Sequence, residues 1–314
     1  MDTQTQLTSS GQEVRPFANL MMDVAFKIAF GKELGKQNMI DLLECLLPGK
    51  HITQLEYVDK EHPGFFVSEK RSIFDLQCKS GDESFVVEMQ VKKKSFFKDR
   101  VLFYSSFLLR DQLLTPLEEI KALTEGRKKE IKDYHLKPVY MVSIVDYALD
   151  HQDDAALEQG LVSRYSLRNE QADEQMSDAL HFVFYEIGRM KYKPNEAKKC
   201  KGILEKVAFI FRNGSKLTGI PAEFEDDITN RLLNTMEKER FTPEERRRYE
   251  LELLEDLEKN SELEAAREEG LEKGIEKGIE KERITIARNL KSADIPPETI
   301  AQATGLTLEQ VKAL

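Results

Sequence analysis

The sequence predicts an α/β protein in which a mixed sheet flanked by helices is followed by an all-helical C-terminal extension. Three observations lead there. Residues 72–93 alternate apolar and polar side chains in two runs, the period of paired strands. On either side of that hairpin, residues 17–31 and 96–114 place apolar side chains at helical spacing. From residue 195 onward the pattern is helical throughout and increasingly charged. The order helix, three strands, helix, strand suits a mixed sheet covered by helices.

Composition sets the outer bounds. A chain of 314 residues holds one substantial domain plus an appendage, or two small domains. No run of eighteen apolar residues occurs, so no membrane-spanning helix is expected. Residues 1–16 have neither a basic start nor an apolar stretch and read as a disordered leader without a secretory signal. Cys45, Cys78 and Cys200 are widely separated, and the five histidines form no H-x-x-x-H, which argues against a zinc site or a disulfide framework. The cytoplasm is the default location. No G-x-x-x-x-G-K-[ST] and no G-x-S-x-G occurs, which removes P-loop enzymes and serine hydrolases of the nucleophile-elbow type.

Net charge is −10, unusual for a protein that binds nucleic acid. Residues 223–282 contain 21 acidic and 11 basic residues, and so account for the whole imbalance. The remainder is neutral, which permits nucleic acid without pointing to it.

Taken in order, residues 17–31 form a helix whose stripe is Phe17, Leu20, Met21, Val24, Ala25 and Ile28, widened by Phe26 and Phe30. Asp23 lies at the edge of the stripe, one turn before Lys27, the spacing of an ion pair. Residues 37–47 form a second helix, stopped by Pro48-Gly49. Residues 52–58 read as a strand, followed by a loop with His62-Pro63-Gly64.

In the hairpin, Phe74, Leu76 and Cys78 alternate with Asp75, Gln77 and Lys79, and Phe85, Val87, Met89 and Val91 alternate with Val86, Glu88, Gln90 and Lys92. Gly81-Asp82 suits a two-residue II′ turn, because glycine accepts positive φ. With that turn Ser80 pairs with Glu83, and counting outward sets Asp75 opposite Glu88. Cross-strand carboxylates about 5 Å apart repel unless a proton or a cation lies between them. Gln90 adds an amide oxygen on the same face, and a Mg²⁺-type ion takes such ligands. The pattern alone fits equally a solvated hairpin that carries Asp and Glu.

Residues 96–114 then form an apolar helix ending near Pro116. Its entrance holds Lys92, Lys93, Lys94, Lys98 and Arg100 against Asp99 alone, a cluster suited to phosphates or, equally, to a solvated helix start. Residues 124–137 read as a basic loop, and Val139 to Asp146 as a central strand. A polar stretch, helical or irregular, precedes a strand-like run from His181 to Ile187.

Asp75, a gap of twelve residues, then Glu88-x-Gln90 resembles the D…ExK signature of the PD-(D/E)XK nuclease superfamily, with Gln where Lys is usual. More specifically, the chain resembles the recombination-promoting nuclease (Rpn) and putative transposase family. The matching features are Asp23, Phe26, Lys27 and Phe30 on the first helix, the Glu88-Met89-Gln90 strand, Arg100 and Tyr104 on the next helix, and the strand opened by Pro138-Val139. The resemblance covers residues 17–150 well. It implies a metal-dependent DNA endonuclease using Mg²⁺, with Mn²⁺ as a substitute, linked to recombination or transposition. It implies Asp75, Glu88 and Asp23 as metal ligands, and Asp75, Glu88, Gln90 and Lys92 as the catalytic set, Lys92 standing on the face of Glu88 to replace the usual lysine. Lys27, Lys93, Lys94, Arg100 and Tyr104 are the expected substrate-binding residues. The alternative is a non-catalytic interaction protein that keeps the nuclease fold and assembles through its helical arm.

The expected divisions are the leader 1–16, a nuclease-like domain 17–220, a charged helical arm 221–291 and a helix-turn-helix-like tail 292–314. Within the arm, Gly270, Gly274 and Gly278 recur every four residues beside Leu271, Ile275 and Ile279. Each glycine costs a helix about 1 kcal/mol relative to alanine. Close packing on a partner helix, and thus a homo-oligomer, would explain them; a flexible arm is the other reading. The tail's second helix carries Glu309 and a single basic residue, Lys312, poor equipment for a major groove and better suited to packing or interaction.

Overall fold

The hairpin closes as its turn chemistry requires. Gly81 sits at φ +55°, and Ser80 pairs with Glu83 and Leu76 with Val87 across β2 (Leu76–Ser80) and β3 (Glu83–Gln90). This is a computed structural model that describes residues 16–58, 74–113, 135–151, 160–172 and 174–314. Most of the expected leader, the His62-Pro63-Gly64 loop and most of the basic loop at 124–137 lie outside the described residues.

Around the hairpin is a six-stranded sheet in the order β1-β2-β3-β4-β6-β5. The strands β1 (Glu56–Tyr57), β2 and β3 are antiparallel. Next, β4 (Val139–Val145) lies parallel to β3, β6 (Gln175–Tyr185) lies parallel to β4, and β5 (Val162–Arg168) closes the far edge antiparallel to β6. The sheet is therefore mixed, and the C-terminal ends of β3, β4 and β6 lie side by side.

Alternation along β3 assigns its two faces. Phe85 and Val87 join Phe26, Ala29 and Phe30 of α1 (Asp23–Phe30), residues of α2 (Lys36–Leu46), and α4 (Ile203–Asn213) in one core. There Phe30 stacks on Phe211 at 5.8 Å between ring centroids, worth about 0.5–1.5 kcal/mol beyond buried area. Val86 faces the other way, with Phe97, Val101 and Leu108 of α3 (Phe97–Leu113). Glu88 and Gln90 follow Val86 at a spacing of two and share its face.

Several elements differ from the sequence reading for identifiable reasons. The first helix begins at Asp23 rather than at residue 17, because residues 16–18 instead pair with residues 236–238; the amide of Ala18 donates to Met236 O at 2.8 Å. The expected strand 52–58 shrinks to Glu56–Tyr57, and Ile52 is instead held by its amide donating to Glu44 Oε1 at 2.6 Å. Strand β5 was not anticipated, since only Val162 and Ser163 of its seven residues are buried and the edge carries no apolar alternation.

The chain divides into two compact units, Met1–Tyr249 and Glu250–Leu314. The first runs past the expected boundary at 220 because α5 (Asp227–Thr235) supplies Leu232 and Leu233 to the main core. Polar ties add to this: Arg231 pairs with Asp41 at 2.7 Å, and Asn38 donates to Ala29 O and Thr235 Oγ1. The helix α6 runs from Pro243 to Ser292. In the second unit α7 (Pro297–Thr304) and α8 (Leu308–Ala313) are joined at Gly305, φ +72°, and bury Ile300 and Val311 against Ala287. Thr307 and Gln310 form a capping box at the start of α8. No helix among the described residues is long and apolar enough to cross a membrane.

Candidate active site

Glu88 is the second of two carboxylates at the head of the hairpin. Asp75 immediately precedes β2, and its Oδ2 accepts the Met89 amide at 2.7 Å, which fixes it beside Glu88. Glu88 is 8% exposed. Burial raises its carboxyl above the ordinary glutamate value of 4.5; the Arg100 guanidinium opposes that rise, Asp75 adds to it and Lys94 opposes it. Arg100 Nη2 pairs with Glu88 Oε1 and donates to Gln90 Oε1 at 3.0 Å. The other oxygen of Glu88, Oε2, is buried without a hydrogen-bond partner, and so is Arg100 Nε. An unsatisfied buried carboxylate oxygen is costly, and it marks a place where a water or a cation would be held.

Helix α3 delivers Arg100 because it follows Phe97 by three residues and precedes Val101 by one, both buried against the sheet, while Lys98 and Asp99 stay exposed. The expected cluster is otherwise divided. Lys94 is close enough to act on Glu88, while Lys93 pairs with Asp150 at 3.6 Å. Lys92 lies beyond the end of β3 at Gln90, and its carbonyl accepts the Gln90 side-chain amide at 3.0 Å. Tyr104 packs edge-on against Phe74 at 5.7 Å. Asp23 and Lys27 pair with each other at 2.6 Å on α1, the helix on the opposite face of the sheet. Among the described residues no three His, Cys, Asp or Glu are grouped to hold a metal ion, so Asp23 does not join the other two carboxylates.

Tyr147 escaped the sequence reading. It follows β4, whose ladder with β3 continues one residue further as Asp146 donates its amide to Gln90 O at 3.1 Å. Its ring meets Phe97 edge-on at 6.2 Å. The hydroxyl is buried without a partner, and burial pushes its pKa up to about 12, with Arg100 opposing and Glu88 adding. The signal available was an Asp-Tyr pair closing the strand that neighbours Glu88.

The turn carrying Tyr147 is rigidly seated. Glu186, fully buried, accepts the Leu149 amide at 2.7 Å and pairs with Arg189 at 2.7 Å and His151 at 2.5 Å. Gly188 lies against the backbone of Asp146 and Tyr147, where a Cβ would come within 2.3 Å. A cavity of about 460 Å³ lined by Ile28, Lys32, Arg231 and Phe241 is a separate feature, lying between α1, α5 and the start of α6. Its cations are already paired, Lys32 with Glu245 and Arg231 with Asp41.

Two adjacent carboxylates and an amide oxygen at the end of a parallel strand, with arginine and lysine beside them, define a nuclease-like α/β protein. The chain belongs to the PD-(D/E)XK nuclease family transposases, whose family model matches residues 20–266. No curated protein and no solved structure matched it.

Proposed function

We propose that the chain is a divalent-metal-dependent DNA endonuclease, serving recombination or transposition, that hydrolyses phosphodiester bonds at the Asp75–Glu88 site. The observation that carries this reading is the buried, unpartnered Oε2 of Glu88 beside Asp75. Asp75, Glu88 and the Gln90 amide oxygen are hard oxygen donors, the set that Mg²⁺ or Mn²⁺ takes while keeping several waters. Such an ion, when bound, acidifies water and offsets charge on the scissile phosphate. Asp23 is left out of this set.

The protein's own groups divide the remaining work. Arg100, now clasping Glu88 and Gln90, can engage a phosphate bidentately once released. Lys94 and its neighbours neutralise flanking phosphates. Gln90 offers its amide oxygen as a ligand and does not supply the charge of the usual lysine. Tyr147 stays protonated at neutral pH and acts as a hydrogen-bond donor. Plasmid nicking with Mg²⁺ tests the reading by comparing native protein with Asp75→Ala and Glu88→Ala. Equal nicking by all three removes the site.

A second role, assembly through α6, is favoured by a specific observation. Leu271, Ile275 and Ile279 are 64%, 53% and 49% exposed, and nothing stands within 4 Å of a Cβ placed at Gly270, Gly274 or Gly278. The four-residue repeat sets a glycine groove beside an aliphatic ridge, flanked by Lys273, Lys277 and Lys281 on one side and Glu272, Glu276 and Glu280 on the other. Two copies in parallel put ridge into groove and lysine opposite glutamate; antiparallel pairing sets like charges together. Light scattering of the full chain with Gly274→Leu is expected to show loss of the dimer.

A further inference from the structure

The entrance and outer face of α3 carry side chains that none of these roles uses. Phe96 is 80% exposed, and its backbone sits at φ +56°, a conformation unfavourable for a bulky side chain. Strain of this kind persists only where the surroundings impose it, and it gathers at functional sites. Here the surroundings are those of the acidic pair. Phe97 is buried, and Phe96 O accepts the Arg100 amide at 3.0 Å, so the turn that sets Arg100 against Glu88 also throws Phe96 into water. A glycine would hold that turn with less strain.

Beyond Arg100 the helix continues the theme. Phe103 is 59% exposed, its ring meets Phe107 edge-on at 4.8 Å, and the Arg110 guanidinium lies 5.1 Å from the Phe107 ring. Arg100, Phe103, Phe107 and Arg110 recur at spacings of three and four, one face of a helix and about 15 Å long. Lys94, two residues before Phe96, is the lysine that acts on Glu88.

We propose that Phe96 and the Phe103 face of α3 form a base-stacking platform for an unpaired DNA strand leading to the Asp75–Glu88 site. The proposal rests on the nuclease reading of that site and names its substrate class. Exposed rings at Phe96 and Phe103, with Lys94 before them and Arg110, itself paired with Asp111 at 2.8 Å, beyond them, match a strand whose bases are free to stack and whose phosphates need neutralising. A closed duplex hides the faces of its bases and leaves these rings nothing to cover. Charge complementarity with a polyanion and continuity with the carboxylates select a strand over a protein partner.

The test is fluorescence anisotropy of the full chain in EDTA, so that binding is read without cleavage. The probes are a short labelled DNA strand, its duplex, and a strand of the same length with abasic sugars. Native protein is expected to prefer the strand over both. Phe96→Gly relieves the backbone, so its thermal midpoint is expected to hold or rise while strand affinity falls roughly 5- to 100-fold. Affinity for the abasic probe is expected to stay level. Phe103→Ala is expected to behave likewise toward the strand, and Lys94→Gln to weaken all three probes alike. Equal binding of strand and duplex, or unchanged strand affinity in Phe96→Gly, overturns the platform. Glu88-dependent nicking can survive that result. Base-dependent binding by a protein that with Mg²⁺ cleaves neither plasmid nor the single strand would keep the platform and remove the nuclease.

Discussion

Arg100 holds one oxygen of Glu88 and the amide oxygen of Gln90 with a single nitrogen, while the second oxygen of Glu88 is buried and unpartnered. The guanidinium thus occupies part of the ligand set that a divalent ion would use. On the proposed reading a cation and the arginine clasp would compete for the same oxygens.

That competition sets the first expectation. Arg100→Ala removes a partly buried partner, and the loss of stability is expected to be about 1–3 kcal/mol, below the 3–5 typical of fully buried pairs. Mn²⁺ is expected to raise the melting temperature of Arg100→Ala more than that of native protein. Thermal shift with and without Mn²⁺ measures both effects, and an equal Mn²⁺ response in the two proteins refutes the competition.

The pH dependence of Glu88 follows from burial, which raises its carboxyl above 4.5 in spite of Arg100. A raised carboxyl favours the folded state fully below the unfolded value, and that contribution is lost as pH rises through the folded value. Native stability is therefore expected to fall relative to Glu88→Gln as pH climbs from 4.5. Urea titrations across that window should show the two curves diverging, and parallel curves contradict the burial argument.

Gly188 has no room for a side chain. In Gly188→Ala the new Cβ would sit 2.3 Å from Tyr147 N and 2.4 Å from Asp146 C, backbone atoms that cannot swing aside. A loss of about 1–3 kcal/mol is expected. The same shift should displace Tyr147 from the neighbourhood of Glu88, so urea midpoint and tyrosine fluorescence are both expected to change.

Asp226 caps α5, its Oδ1 accepting the Thr229 amide at 2.9 Å while Oδ2 pairs with Lys206 at 2.8 Å. Burial pushes its pKa up, but the bonds to Lys206 and Thr229 outweigh that and leave it lowered. Asp226→Ala is expected to cost about 1 kcal/mol. That contribution is present above the unfolded carboxylate value and lost as pH falls through the lowered one. The variant should therefore approach native stability in acid, as a urea series at descending pH will show.

The hairpin register, the placement of Asp75 beside Glu88 and the α/β class were legible in the sequence, because a two-residue turn and a period of two are local rules. Gly81 alone settles which residue of β2 meets which residue of β3. Family resemblance rested on the same short-range spacings, and the family match bears it out. Only the tertiary structure decided that Lys92 leaves the strand, that residues 16–18 pair with 236–238, and that Tyr147 comes to lie beside Glu88. Each depends on partners more than 40 residues away or on where a ladder stops, and neither leaves a periodic mark on the chain. The strained, outward-facing Phe96 belongs with them: an isolated phenylalanine looks like core until the burial of its neighbour Phe97 shows which of the two the sheet accepts.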